Sequence, residues 1–320
     1  MHSLTKNHQS TESLAALCRR AFGQPPVEAA ELSEGWFNAI YQITLPDGRQ
    51  VILKLAPPPG AETLSYERGM LGWEVRAMDL AREQAGIPTA QVLYYDDSCE
   101  VCDAPYFFME KLPGRSFSTA RAEMKPEDCL AVERQMGRLV RDMNAIRGAR
   151  FGYPNLPGLQ GDSWPEAFLN IFDSVLEDGR RKQVELPYAN RLLHDLAADN
   201  LGPLKAVTEP RFVHWDVWDA NIMVQDGKIT GVLDFERALW GDPLMEQQFR
   251  MYDHPSPALE GYGWGPLSRE EEVRARLYSL HLNLIMLVEN EYRQYDTDQI
   301  ARFARLGLEE TVRWLRAGGK

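Results

Sequence analysis

The sequence has few cysteines, no long hydrophobic run and no excess of basic residues. Four cysteines in 320 residues are too few for a disulfide framework in a chain of this length. No apolar run approaches the ~18 residues of a membrane-spanning helix, and residues 1–10 lack the apolar core of a secretory signal. A net charge of −12 argues against nucleic-acid binding, which requires a basic surface. We therefore expect a cytoplasmic protein, monomeric or homodimeric, without nucleic-acid or membrane partners.

Two of the cysteines, Cys99 and Cys102, form a solitary C-x-x-C pattern. A structural zinc site needs a second cysteine pair or a histidine pair, and the sequence has none nearby. We expect a turn between two strands at this position. A metal or redox role for the two thiols is the alternative.

The most informative stretch runs from Arg211 to Glu236. Short apolar segments, 211–213, 222–224 and 229–233, predict buried strands, and Asp226-Gly227 predicts a hairpin turn between the last two. Polar residues cluster at the ends of these strands. Because adjacent strand ends meet in space, we expect Asn221 and Asp234 to face the same pocket.

The polar residues have the spacing of a phosphoryl-transfer site. Asn221 follows Asp216 by five residues, and Asp234 stands at the end of the next strand. In such a site one carboxylate accepts the proton of the attacking hydroxyl, while an amide and a second carboxylate bind magnesium through oxygen.

This stretch resembles the catalytic and metal segments of the aminoglycoside phosphotransferase and choline kinase group of kinase-fold enzymes. The resemblance implies that Asp216 is the catalytic base, that Asn221 and Asp234 are Mg²⁺ ligands, and that His214 supports the loop. Trp215 stands where many relatives carry glycine. Glu236 stands where protein kinases carry the glycine of Asp-Phe-Gly, which favours a small-molecule kinase over a protein kinase.

The segment Glu236–Pro243 resembles the form common in bacterial members of the group. In relatives an acidic residue near this point helps to fix the catalytic loop, which makes Asp242 a candidate for loop support. Because Pro243 follows it, Asp242 is also well placed to cap the next helical turn.

Three other interpretations of the catalytic stretch remain open. His214, Asp216 and Asp234 could be polar residues that only cap strand ends. The same three side chains suit several metals, so a metallohydrolase is a second alternative. A nucleotide-binding pseudokinase that regulates or scaffolds is the third, although such a protein has no need of the base.

The first part of the chain supplies the other half of a kinase-like site. Strands are predicted at 27–32, 39–45, 50–55, 91–95 and 105–109, with a helix at 64–84. Lys54 lies among apolar residues, and Glu74 shares the apolar stripe of the helix with Leu71 and Met78. Each buried charge requires a partner, so we expect an ion pair between Lys54 and Glu74. Escape of Glu74 to solvent at the helix edge is the alternative. The pair resembles the phosphate-positioning lysine and helix glutamate of kinases.

Two further segments are candidates for nucleotide contact. The turn 33–38, with Ser33 and Gly35, could reach phosphate oxygens, or it could be a plain hairpin connection. Residues Met109, Glu110 and Leu112 precede Pro113-Gly114, and this segment resembles the hinge that holds the nucleotide base in relatives. It could also be an ordinary linker.

The predicted fold is α+β with two lobes of a protein-kinase-like type. A five-stranded antiparallel sheet with a helix forms an N-terminal nucleotide-binding lobe, 1–112, and a mostly helical C-terminal lobe, 113–320, carries the catalytic and acceptor-binding residues. Helices are predicted from Pro126, at 164–185 and 188–198, which we expect to wall the acceptor pocket, and at 270–292 and 299–315.

The resemblance implies transfer of the γ-phosphoryl group of ATP or GTP to a hydroxyl of a small molecule, with Mg²⁺. A net-acidic protein suits a cationic acceptor, so an aminoglycoside antibiotic is the first expectation and a choline-like, sugar-derived or amino-alcohol acceptor the second. Glu289, Glu291, Asp296 and Asp298 could meet such a cation, or they could form a solvated helix end. His281 is expected to be a packed or surface histidine.

Overall fold

The chain is described by a computed structural model that covers residues 5–32, 37–249, 256–295 and 297–318. Within these ranges, none of the helices combines the length and apolar content that a membrane crossing requires. The predicted α+β class and the two-lobed kinase-like architecture are confirmed.

The first lobe is a five-stranded antiparallel sheet with the order β1-β2-β3-β5-β4. Its strands are β1 (Glu28–Glu31), β2 (Ala39–Thr44), β3 (Gln50–Leu55), β4 (Val92–Asp96) and β5 (Tyr106–Glu110). Helix α1 (Thr11–Phe22) covers the back of the sheet. Strand β2 alternates between buried and half-buried residues, because its buried set packs on α1 and its other set faces the second lobe.

Helix α2 (Met70–Ala85) lies on the front of this sheet and begins six residues later than predicted. Gly69, at φ +67°, separates it from a short 3₁₀ turn, Ser65–Glu67. A left-handed residue interrupts the helical hydrogen-bond ladder, and glycine adopts this conformation without steric cost. The single helix predicted at 64–84 is therefore divided into two elements, and the apolar stripe with Leu71, Glu74 and Met78 lies in the second.

The second lobe is built mainly from helices, with two small antiparallel sheets. Its helices are α3 (Phe117–Ala120), α4 (Pro126–Asn144), α5 (Trp164–Arg181), α6 (Asn190–Asp199), α7 (Pro257–Tyr262), α8 (Arg269–Arg293) and α9 (Gln299–Arg316). One sheet joins β11 (Lys228–Val232), β10 (Ile222–Gln225) and β6 (Arg115–Ser116). The other joins β8 (Gln160–Gly161), β7 (Phe151–Gly152), β12 (Leu239–Gly241) and β9 (Arg211–Val213).

Helix α2 connects the lobes through a shared hydrophobic core. Its buried residues Met70, Leu71 and Trp73 belong to the same apolar cluster as the centre of α5 and α8. The indole Nε1 of Trp73 donates a hydrogen bond of 2.5 Å to the carbonyl oxygen of Ala238. Helix α2 is thus fixed against the segment that follows Asp234.

Candidate active site

A cleft of about 780 Å³ lies between the two lobes. Lys54 and Glu74 line it from the first lobe, and Asp216, Asn221 and Asp234 line it from the second. The two halves of the site, which the sequence places far apart, therefore share one crevice.

The ammonium group of Lys54 is surrounded by three carboxylates. Its Nζ lies 2.7 Å from Glu74 Oε1, 3.0 Å from Asp234 Oδ1 and 3.1 Å from Glu236 Oε2. Lys54 is only 2% exposed, so these contacts replace the water that the charge has lost. The predicted Lys54–Glu74 pair is present. Contact with Glu236 was not expected from the sequence.

Burial and charge act in opposite directions on these groups. Burial disfavours the charged form of Lys54, but Asp234, Glu236 and Glu74 outweigh it and raise the pKa of Lys54 well above its ordinary value. Burial raises the pKa of Glu74 although Lys54 opposes the change. For Asp234, Lys54 outweighs burial and lowers the pKa. Lys54 is therefore a cation, and the carboxylate of Asp234 beside it is ionised.

His214 joins the catalytic loop to the segment around Asp234. The ring is fully buried, its Nε2 donates to the carbonyl oxygen of Leu233 at 3.0 Å, and its Nδ1 accepts from the backbone N–H of Asp216 at 3.3 Å. Only a neutral ring both donates and accepts in this way. Burial also lowers the pKa of His214. The side chain therefore braces the loop as a neutral imidazole.

Trp215 adopts φ +46°, in the left-handed region that glycine enters most readily. Its backbone N–H and that of His214 donate to the carboxylate of Glu246 at 2.8 and 2.9 Å. Its indole donates to the carbonyl oxygen of Arg237 at 2.8 Å and stacks on His281 at 5.7 Å. These contacts hold a backbone conformation that is unfavourable for tryptophan by itself.

Asn221 and Asp234 lie at neighbouring strand ends, as predicted. Asn221 precedes β10 and Asp234 follows β11, and the backbone N–H of Leu233 donates to the carbonyl oxygen of Asn221 at 2.9 Å. The amide Nδ2 of Asn221 donates to the backbone carbonyl of Asp216 at 3.0 Å. This bond uses the amide nitrogen of Asn221 and does not involve its amide oxygen.

The residues present fit a magnesium ion. Asn221 and Asp234 offer oxygen ligands of the kind that Mg²⁺ prefers, and the side chain of Asp234 is 40% exposed in the cleft. Among the residues that the structure describes, no group of three His, Cys, Asp or Glu side chains could bind a metal alone. Mg²⁺ commonly takes its remaining ligands from substrate phosphates and water.

Part of the cleft, beside the hinge strand, is lined by apolar residues of both lobes, and we call this part the slot. Ile40 and Ile52 line it from the first lobe, and Met223 and Leu233 from the second. Three predicted hinge residues, Met109, Glu110 and Leu112, line the same cleft. The predicted phosphate-loop residues Ser33 and Gly35 lie outside the described residues.

Loop support comes from Glu246, which sequence reasoning missed. Asp242 caps the turn Pro243–Met245 through the N–H of Leu244 at 3.2 Å, and it accepts bonds from Arg274 at 2.7 Å and Tyr278 at 2.6 Å. The expected role of Asp242 as direct support of the catalytic loop therefore belongs to Glu246. Both residues are acidic and lie near the same turn, and only the three-dimensional path of the turn shows which of them contacts the catalytic loop.

Helices α8 and α9 line another part of the cleft. The helices predicted at 164–185 and 188–198 to wall the acceptor pocket correspond to α5 and α6, which contribute nothing to the lining of this cleft. Helix α5 instead lies in the core, where Trp164, Phe168 and Phe172 are fully buried.

Glu289 is one of the four acidic residues expected to meet a cation or to form a solvated helix end. Glu289 is 6% exposed and bonded to Tyr66, Arg237 and Arg293, so it is neither a solvated helix end nor an unpaired carboxylate.

Cys99 and Cys102 lie in the turn between β4 and β5, as expected, and both are free thiols.

The comparison with protein families gives one match that spans most of the chain. The model of the phosphotransferase enzyme family matches residues 28–247. A subtelomeric hrmA-associated cluster protein of Aspergillus fumigatus is 27% identical over 126 residues. That alignment covers 39% of this chain and 24% of the fungal protein, so this chain matches about a quarter of the length of that relative.

Solved structures with the same fold cover nearly the whole chain. A Thermobifida fusca protein assigned to the fructosamine-3-kinases superposes with a TM-score of 0.68 at 21% identity, over 96% of this chain and 100% of that one. Aminoglycoside phosphotransferase APH(4)-Ia, in a ternary complex with ADP and hygromycin B, superposes with a TM-score of 0.66 at 18% identity, over 94% and 98%. At these identities the superpositions establish the fold. With a family model that matches residues 28–247, the chain belongs to the phosphotransferase enzyme family.

Proposed function

We propose that this protein transfers the γ-phosphoryl group of ATP or GTP to a hydroxyl of a small molecule, with Mg²⁺ as cofactor. The observation that carries the proposal is the contact of Lys54 with both Glu74 and Asp234 across the cleft that Asp216 and Asn221 also line. Kinase chemistry needs this combination, because a phosphate-positioning cation, oxygen ligands for the metal and a base must converge on one point.

The nucleotide base would lie in the apolar slot near Met109–Leu112, with its edge toward the backbone of the hinge. Within the described part of the chain, the backbone N–H of Leu112 donates to no backbone carbonyl oxygen. That donor is available to a ring nitrogen. The slot suits a flat aromatic ring because its walls are apolar on both faces.

The phosphates would extend from the slot toward Lys54. Lys54 would contact their oxygens while Glu74 keeps its ammonium in place, and Asn221 and Asp234 would hold the magnesium. When bound, this ion supplies positive charge that neutralises the phosphate oxygens.

Asp216 would act on the acceptor hydroxyl. Its carboxylate accepts the hydroxyl proton, the acceptor oxygen forms a bond to the γ-phosphorus, and the bond from that phosphorus to the bridging oxygen breaks to release the nucleoside diphosphate. His214 and Asn221 hold the backbone of Asp216 at the N–H and the carbonyl oxygen. Because transfer depends mainly on position, this bracing contributes to rate.

The acceptor expected from the net charge is an aminoglycoside, with a choline-like, sugar-derived or amino-alcohol compound as second candidate. The lining of the cleft beyond Asp216 bears directly on this choice.

Replacement of Asp216 tests the proposal. Asp216→Ala should lower turnover by about 10²–10⁴-fold, the usual contribution of a general base, and leave nucleotide affinity nearly unchanged. The measurements are nucleoside diphosphate release with a confirmed acceptor and nucleotide titration by calorimetry.

Asp219→Ala is a matched control in the same loop, because Asp219 pairs with Arg121 at 2.7 Å and does not line the cleft. It should keep turnover within about threefold, as expected for loss of a partly exposed ion pair outside the cleft. Near-normal transfer by Asp216→Ala would show that Asp216 is not the base.

A further inference from the structure

The acceptor end of the cleft has a wall made by one face of helix α8. Leu282, Met286, Glu289 and Arg293 line it at spacings of four, three and four residues, which places them on the same side of a helix. Ile300 and Phe303 of α9 extend the wall. Most of this surface is apolar, and Phe303 leaves 47% of its area exposed.

The charged groups at this end are already paired with each other. Tyr66, Glu67, Arg237, Glu289 and Arg293 form a set that we call the Arg237 network. Glu289 Oε1 accepts from Tyr66 at 2.6 Å, from Arg237 at 2.5 Å and from Arg293 at 3.1 Å. Arg293 also bonds to the buried Glu67. Two guanidinium groups and two carboxylates thus offset each other.

Among the residues that the structure describes, this arrangement offers a cationic acceptor little opportunity for a new ion pair. Of the described carboxylates at this end, only Asp216 lacks an ion-pair partner, and the proposed function uses it as the base. An ammonium group of the acceptor would meet a network whose charges already offset each other, so it would lose hydration without gaining a new ion pair. The overall charge of −12 does not change this, because binding depends on the charges that line the site.

We propose that the acceptor is an uncharged alcohol with a substantial apolar body, an inference that rests on the proposed function. The apolar body would pack on Met286 and Phe303, and its hydroxyl would point to Asp216. Polar groups of the acceptor could meet Arg237, whose guanidinium uses one terminal nitrogen for Glu289 and lies over the rings of Tyr66 and Trp215. An anionic acceptor is disfavoured because Glu289 and Asp216 flank that guanidinium.

Alkyl glycosides test the apolar part of the inference, because chain length changes while the hydroxyl groups stay the same. Binding of n-octyl β-D-glucoside, methyl β-D-glucoside and kanamycin is measured by isothermal titration calorimetry. Each titration is done with AMP-PNP and Mg²⁺ present, and the octyl compound is kept below its micelle concentration. Burial of even part of the octyl chain should make this compound bind at least about tenfold more tightly than the methyl compound. Kanamycin should bind more weakly than both.

Two variants of α9 separate binding in the cleft from adsorption to the surface. Phe303 lines the cleft, whereas Leu306 is 68% exposed and does not line it. Phe303→Ala should weaken octyl glucoside binding by about fivefold or more, in line with loss of a partly buried aromatic contact, and Leu306→Ala should leave binding unchanged.

The inference is overturned if kanamycin binds more tightly than octyl glucoside, if the two glucosides bind equally, if neither binds, or if both alanine variants weaken binding alike. Titration of AMP-PNP and Mg²⁺ alone keeps the two proposals distinct. Absence of nucleotide binding would remove the proposed function itself. Nucleotide binding together with a preference for kanamycin would remove only the acceptor class.

Discussion

His281 is a fully buried histidine whose two ring nitrogens have no hydrogen-bond partner among the described residues. It stacks on Trp215 and lies against Phe168 and Phe172. Burial, with a smaller effect of Arg237, lowers its pKa to about 3. The ring therefore stays neutral in the folded protein at pH values where the unfolded chain binds a proton.

The sign of the resulting pH dependence follows from proton binding. Below about pH 6.5 the unfolded state carries more protons at His281 than the native state, so stability falls as pH falls, by up to about 1.4 kcal/mol per pH unit. His281→Phe removes this titration and keeps an aromatic ring against Trp215. Its free energy of unfolding, measured in urea at pH 7 and pH 5, should decrease less than that of the wild type.

His194→Gln is the control for this comparison. His194 is 40% exposed, and its hydrogen bond to Asp173 raises its pKa, so its contribution has the opposite sign. The control should not flatten the acid dependence. An equal loss of stability in wild type and His281→Phe between the two pH values would contradict the assignment.

At the level of elements, Glu246 ties helix α4 to the catalytic loop. Its carboxylate is fully buried and accepts from the backbone N–H groups of His214 and Trp215 and from Asn144 of α4 at 3.0 Å. Asn144 also donates to the carbonyl oxygen of Phe212. The left-handed turn at Trp215 thus depends on a helix that does not itself line the cleft.

Glu246→Gln should disturb this connection. An amide places an NH₂ group against backbone N–H donors, and a buried donor left without a partner costs about 1–3 kcal/mol. We expect a loss of stability of that size. We also expect a fall in kcat with little change in nucleotide KM, because the position of Asp216 depends on the conformation of the loop. Chemical denaturation and steady-state kinetics measure the two effects.

Glu260→Gln provides the comparison, since Glu260 forms an ion pair with Arg134 and is 66% exposed. Its stability should change by less than about 0.5 kcal/mol. If Glu246→Gln behaves like Glu260→Gln, the carboxylate does not hold the loop.

For the whole molecule, nucleotide and metal should stabilise both lobes together, because the proposed site has residues on each. With AMP-PNP and Mg²⁺ at 100 times the dissociation constant, the free energy of unfolding should rise by about 2.7 kcal/mol. Differential scanning calorimetry should show one transition moved to higher temperature. The increase should be much smaller in Asp234→Asn and unchanged in Asp219→Asn; equal increases in all three proteins would exclude Asp234 as a metal ligand.

Local signals were sufficient to predict the sheet, the Lys54–Glu74 pair and the neighbouring positions of Asn221 and Asp234. Each depends on strand periodicity, turn residues or the cost of a buried charge, all visible within short segments. The boundary at residues 112 and 113 remains a prediction, as do the roles of the site residues.

Contacts between distant segments could not be predicted in the same way. The residues next to Glu246 and Glu289 give no sign that either carboxylate is buried, and only packing decides that each lies among hydrogen-bond donors. Helices α5 and α6 were predicted to wall the acceptor pocket because of their order in the chain, but the helices that line the cleft are α8 and α9. The Arg237 network joins residues more than 200 positions apart, beyond the reach of local patterns.

The contact between Lys54 and Asp234 spans 180 positions of the chain, and this has a consequence for biosynthesis. During translation the sheet can leave the ribosome long before Asp234 exists, with Glu74 as the only early partner of the lysine. Trp73 must likewise wait for Ala238, its partner 165 positions later. An isolated fragment that ends at the hinge would therefore keep the strands, but Lys54 and Trp73 would lack their partners from the second lobe. The two lobes are better regarded as one folding unit than as exchangeable modules.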